Sequence, residues 1–146
     1  MASWSTTKRK LAMNIFSSPS GTQMYDEQSF YRAFQKDLYS ARRNVIIESP
    51  FITLRRIEEL LPVIIKLRRK RSISNCKYKK PDWARGRIWD ASTNRSWKKL
   101  LELGVKVLYT VKHHRKLAII DGTVTWNGSL NILSQHDSCE IMWRVA

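Results

Sequence analysis

The feature that most constrains this chain is a pair of short apolar runs hinged on Asp121-Gly122, with Leu117-Ala118-Ile119-Ile120 before it and Val124-Thr125-Trp126 close behind. Apolar runs joined by Asp-Gly read as a β-hairpin with a two-residue turn, because these residues accept the positive φ that such a turn demands. Side chains alternate across a strand, so His114 and Lys116 share one side of the incoming strand while Leu117 and Ile119 face the other. A nucleophile and a cation therefore stand on one surface. Beyond the second strand Ser129 and Asn131 are again two apart and, if locally extended, add a hydroxyl and an amide together. Gly128 lets the backbone come close to a ligand. Asp121, as the first residue of a Gly turn, is expected with Gly122 to stabilise the hairpin rather than to touch a substrate.

The other segments supply a frame for this hairpin. The Ser/Thr/Lys-rich beginning and Ser17-Ser18-Pro19-Ser20-Gly21 read as an arm and loop over residues 1–24, which leaves one domain over 25–146. From Asp26, a fitting N-cap, Phe30, Phe34, Leu38 and Ala41 recur at helical spacing and predict a helix to about Arg43. Asn44 to Ile52 reads as a short buried strand ended by Pro50, and Ile57 to Leu67 as a helix that Pro62 must kink or begin. Ser72 to Tyr78 hints at a strand, Ser96 to Leu103 at a helix closed by Gly104, and Val105 to Val111 at another strand. Helices alternating with strands predict an α/β sandwich, and 146 residues fit one domain with one active site.

Charge narrows the partners. The chain carries 27 Lys and Arg against 12 Asp and Glu, a formal +15. Lys66 to Lys99 alone holds 13 basic and two acidic residues, a local +11, where an ordinary solvated face would mix signs. Such a patch attracts polyanions and gains affinity by releasing their counterions, which makes nucleic acid or an anionic membrane the candidate partner, and charge alone does not separate the two. Arg68, Arg69, Lys70, Arg71, Lys77, Lys79, Lys80, Arg85 and Arg87 are the candidate phosphate contacts. Trp83, interleaved with these cations, could stack an exposed base or simply pin a loop to the core. No stretch approaches the roughly 18 apolar residues of a membrane span, and no secretory leader is recognisable, so a cytoplasmic protein with Cys76 and Cys139 as reduced thiols is expected.

His114, Lys116 and Asp121 make H-x-K-x4-D, and Gly128, Ser129 and Asn131 make the G-S-x-N that follows it. Together they resemble the phospholipase D superfamily, above all its single-motif members: small bacterial nucleases and the nuclease-like domains attached to some DNA helicases. The likeness is dense from His114 to Glu140 and sparse from Tyr25 to Arg144, where Ile47 to Ile52 resembles the family's first core strand. It implies a phospholipase D-like mixed sheet sandwiched by helices. It also implies that His114 attacks phosphorus to form a phosphohistidine, while a second His114 protonates the leaving oxygen. Lys116 and Asn131 would hold non-bridging oxygens, supported by Ser129, and Glu140 would receive the other imidazole N–H, with Asp137 as its rival. One motif per chain then requires a homodimer.

A lone histidine on a strand is usually structural, but six matched positions argue against that for His114. His113, His136, Asp137 and Cys139 lack the paired ligand spacing of a zinc site, and neither a metal nor a cofactor is expected. The chain is thus expected to be a metal-independent phosphodiesterase, a nuclease acting on DNA or RNA. The alternatives are a nucleic-acid-binding protein with an inactive or accessory site and a phospholipase D-type enzyme acting on phospholipid, the latter needing an interfacial apolar surface.

Overall fold

The structure, a computed structural model, describes residues 21–70, 75–79, 91–110, 114–134 and 139–146. The elements run β1 (Thr22–Asp26), α1 (Glu27–Ser40), β2 (Val45–Ser49), α2 (Leu54–Arg69), β3 (Asn75–Lys79), α3 (Ala91–Glu102), β4 (Lys106–Thr110), β5 (Leu117–Ile120), β6 (Val124–Gly128) and β7 (Ile141–Val145). They form one seven-stranded mixed sheet in the order β1-β7-β6-β5-β2-β3-β4. The strands β2, β3 and β4 are parallel, joined by crossovers through α2 and α3, whereas β5, β6, β7 and β1 add on antiparallel. This is the single α/β domain with a mixed sheet and flanking helices expected from the sequence.

Helix α1 begins where expected. The Asp26 carboxylate accepts from the Ser29 N–H at 2.9 Å while Ser29 Oγ accepts from the Asp26 N–H at 3.2 Å, a reciprocal cap. Helix α2 starts at Leu54, earlier than its apolar run, because Thr53 caps it. Pro62 lies inside α2 rather than at its start. It leaves the carbonyl of Glu58 without its helical donor, and because Glu58 and Pro62 are both exposed, water can replace that donor. Helix α3 starts at Ala91, before the predicted Ser96. The edge strand β1 takes up Thr22 to Met24, and β7 closes the sheet beside it. Neither strand is foreshadowed by a clear alternation in the sequence.

The core gathers around Trp126 on β6. It is fully buried, with Phe30 and Phe34 of α1 at centroid distances of 5.2 and 6.0 Å and Tyr25 of β1 at 4.9 Å. A side chain buried this completely contributes on the order of 3 kcal/mol. Its indole N–H donates to Asp37 Oδ2 at 2.9 Å, and Asp37 also holds Arg144 of β7 through contacts of 2.7 and 3.1 Å. One carboxylate of α1 therefore ties down two neighbouring strands.

The hairpin turn has three residues, not two: Ile120 pairs with Val124, and Asp121 (φ 55°) and Gly122 (φ 73°) are both left-handed. The added Thr123 frees Asp121 to act elsewhere. Its carboxylate accepts the backbone N–H groups of Arg42, Arg43 and Asn44 at 2.9, 2.7 and 3.0 Å, binding the turn to the α1–β2 connection. Desolvation pushes the Asp121 carboxyl upward, but these three backbone bonds and the Arg43 charge outweigh it and hold the group below the usual carboxylate range. We expect Asp121→Ala to destabilise the fold by about 2 kcal/mol in urea titration, since three donors to a charged acceptor lose their partner. Because the folded-state group titrates below its unfolded value, its contribution is complete above about pH 4 and fades as pH falls through the lowered pKa. The stability gap between wild type and Asp121→Ala should shrink in that window.

Candidate functional site

The ends of β5, β6 and β7 opposite the Asp121 turn surround a cleft of about 820 Å³. It is lined by His114, Arg115 and Lys116 before β5, Asn127, Gly128, Ser129 and Asn131 at the end of β6 and beyond, and Glu140 before β7. His114, Asn127 and Ser129 are exposed, so the site is open to solvent. Lys116 donates from Nζ to the His114 carbonyl at 2.9 Å, which holds its ammonium beside the histidine. Among the described residues none hydrogen-bonds the imidazole itself, and Glu140 shares the cleft with it.

Hydrogen bonds from elements distant in sequence hold the end of β6 and the segment after it in place. The Ser129 N–H donates to the Ile141 carbonyl at 2.9 Å, and Ser129 Oγ accepts the Ile141 N–H at 3.1 Å. Ser129 thus extends the β6–β7 pairing while its hydroxyl borders the cleft. After Asn131, the chain is clamped by three elements. Tyr31 of α1 donates its hydroxyl to the Ile132 carbonyl at 3.0 Å. Ser49 at the end of β2 accepts the Leu133 N–H at 3.2 Å, and the Thr53 N–H donates to the Leu133 carbonyl at 2.9 Å. Burial drives the Tyr31 phenol well above its ordinary range, so it remains a donor.

The structure brings His114, Lys116, Gly128, Ser129, Asn131 and Glu140 together in the lining of this cleft. Asp121 and Gly122 sit at the other end of the hairpin, roughly 16 Å away along five extended residues. Gly128 also meets a demand of the fold. A Cβ there would run into the Ile141 carbonyl oxygen and Met142, so its lack of a side chain serves the close approach of β7.

The basic segment is divided. Helix α2 starts beside Leu133 near the cleft and runs away from it, so Arg68, Arg69 and Lys70 end roughly 24 Å along its axis, at the far end of the sheet. Arg68 packs its guanidinium against Gly104 there. Cations in the last turn of a helix also complement its dipole. Lys77 and Lys79 lie on β3, whose end runs beside Ser49 toward the cleft. Arg71, Lys80, Trp83, Arg85 and Arg87, with His113, His136 and Asp137, fall outside the described residues.

Three residues of the site were not singled out from the sequence: Arg115, Asn127 and Glu48. Glu48 lies behind the cleft, buried on β2 and paired with Arg115. A carboxylate inside the apolar run Val45-Ile46-Ile47-Glu48 was the available signal, since a buried charge needs a partner.

Residues 35–144 match the family profile described as cardiolipin synthase, PLD-like domain. No curated protein sequence matches the chain. Among solved structures, a phospholipase D family member, Nuc from Salmonella typhimurium, superposes with a TM-score of 0.68 at 11% identity, covering 85% of this chain and 81% of that one. NucT from Helicobacter pylori gives 0.59 at 14% identity, covering 84% and 83%. Polyphosphate kinase from Porphyromonas gingivalis gives 0.66 at 9% identity, covering 86% of this chain and 23% of that one. At these identities the likeness is one of fold.

Gly128→Ala should lower the melting temperature by several degrees, because backbone atoms of β7 must move to admit the methyl group. A melting curve equal to that of the wild type would show that β7 yields freely at this point.

Proposed function

Since the chain belongs to the phospholipase D-like family, we propose that it is a metal-independent phosphodiesterase that cleaves nucleic acid through a phosphohistidine in a homodimeric site. The observation that carries this reading is the convergence of His114, Lys116, Ser129, Asn131 and Glu140 on one open cleft. A phosphodiester fits it, because a nucleophilic imidazole stands among cationic and neutral donors suited to non-bridging oxygens. The formal +15 favours a polyanionic substrate, as a nucleic-acid strand is. Among the described residues no three His, Cys, Asp or Glu side chains converge as a metal site would require.

In this reading His114 attacks phosphorus, the bond to the leaving oxygen breaks, and that oxygen takes a proton from His114 of a second copy. Water then attacks the phosphohistidine, giving its proton back to the second imidazole and releasing His114. Glu140 accepts the remaining imidazole N–H and sets the tautomer. Two imidazoles are required on opposite sides of phosphorus, and a twofold partner supplies the second without new residues.

Cleavage of DNA or RNA is expected to persist in excess EDTA and to vanish in His114→Ala. Binding, which rests mainly on counterion release, should stay within a few-fold of wild type. Phosphatidylcholine turnover without nucleic-acid cleavage would instead select the lipid reading, and binding without any turnover an accessory site. If the site is shared, titrating wild-type chains with excess His114→Ala chains should depress activity in proportion to heterodimer formation. A fully active monomer in light scattering at assay concentration would sink the shared site.

A further inference from the structure

We propose that Arg115 is a second phosphate-contacting cation of the cleft, taking the phosphate that flanks the scissile one, and that Glu48 is the residue that positions it. This rests on reading the cleft as a phosphodiester site. The Glu48 side chain is 5% exposed, whereas that of Arg115 is 67% exposed and lines the cleft. A buried carboxylate is unfavourable unless paired. Arg115 Nε stands 2.7 Å from Oε2 as an ion pair lying off the hydrogen-bond direction, and Nη2 donates to Oε1 at 3.4 Å. The guanidinium is thus docked side-on through Nε and Nη2, with Nη1 turned away from the carboxylate. Its rigid fork of five N–H donors can meet a carboxylate on one edge and a phosphate on the next.

Different anchors separate Arg115 from its neighbour. Glu48 pairs with Leu117 across β2 and β5, so Arg115, just before β5, has a buried carboxylate of the adjacent strand within reach. Lys116 instead donates to the His114 carbonyl, which keeps its ammonium at the histidine. With one cation held at His114 and the other at Glu48, the two are suited to different phosphates of one strand. With its guanidinium largely exposed, the Glu48–Arg115 pair adds little to stability; what it fixes is the direction of the fork. Asn127, which also pairs with Leu117, continues the polar lining of the cleft. The cleft is thereby built for a strand carrying successive phosphodiesters rather than for an isolated one.

The test compares an oligonucleotide with bis(p-nitrophenyl) phosphate, a single diester, in EDTA, for wild type, Arg115→Ala, Arg115→Lys, Glu48→Gln and the Glu48→Gln/Arg115→Ala pair. Arg115→Ala should raise the oligonucleotide KM about tenfold at nearly constant kcat, the loss of one charged contact. It should reduce the salt slope of binding by about one phosphate and leave the small diester's KM unchanged. Arg115→Lys should recover part of the salt slope but little of the KM. Glu48→Gln should raise the oligonucleotide KM less and add nothing on top of Arg115→Ala. Unchanged KM and slope in Arg115→Ala, or equal losses on both substrates, overturn the assignment of Arg115. An additive effect of Glu48→Gln overturns its positioning role. If wild type cleaves neither substrate, the nuclease reading fails on its own. Oligonucleotide binding by His114→Ala with and without Arg115→Ala then decides the contact, and an unchanged salt slope overturns it.

Discussion

The seating of Trp126 under α1 is the interaction on which the rest of the molecule depends. The indole occupies the middle of β6, faces Phe30 and Phe34, and passes its one polar atom to Asp37. Asp37 in turn holds Arg144, so β6 and β7 are fixed to the same helix. Two residues beyond Trp126 comes Gly128, where the cleft begins. A polar atom left unpaired beneath that helix would cost more than the hydrogen bond contributes, so the position of the strand is specified as well as stabilised. The site inherits its precision from this core rather than from contacts among the reactive groups.

The two halves of the sheet divide the work. The parallel half, β2, β3 and β4, needs helical crossovers to connect its strands, and these carry much of the positive charge. In the antiparallel half a tight turn joins β5 to β6 and residues 129–140 join β6 to β7, and the pairing brings His114 before β5, Asn131 beyond β6 and Glu140 before β7 to one cleft. Where the halves meet, β2 lies beside β5, and the buried Glu48 acts across that seam on Arg115. The junction is also where Ser49 and Thr53 clamp the segment after Asn131. Chemistry and electrostatics are thus joined at the seam.

Much of this was legible because local rules governed it. Helical spacing found Phe30, Phe34 and Leu38, and Asp26 announced its own cap, whereas the alternation that put His114 and Lys116 on the incoming strand begins only at Leu117. The failures have equally definite causes. In β7, Ile141-Met142-Trp143-Arg144-Val145 has apolar side chains on both faces, so no alternation marks it, and Thr22-Gln23-Met24 reads as polar coil until β7 offers it a ladder. The Asp121 carboxylate finds its three donors in the α1–β2 connection, almost 80 residues upstream, where no turn rule looks. For Gly128 the steric demand comes from β7 across the ladder, which the local sequence does not show.

The sequence by itself determined the motif, the hairpin beside it and the sign of the net charge, because residue spacing and charge are properties of the chain alone. Only the tertiary structure decided which cations line the cleft. Helix α2 carries Arg68, Arg69 and Lys70 to the far end of the sheet, while strand pairing lays β2 beside β5 and so delivers Glu48 to Arg115. Proximity across 67 residues of sequence is set by the order of strands in the sheet, and no local pattern encodes that order.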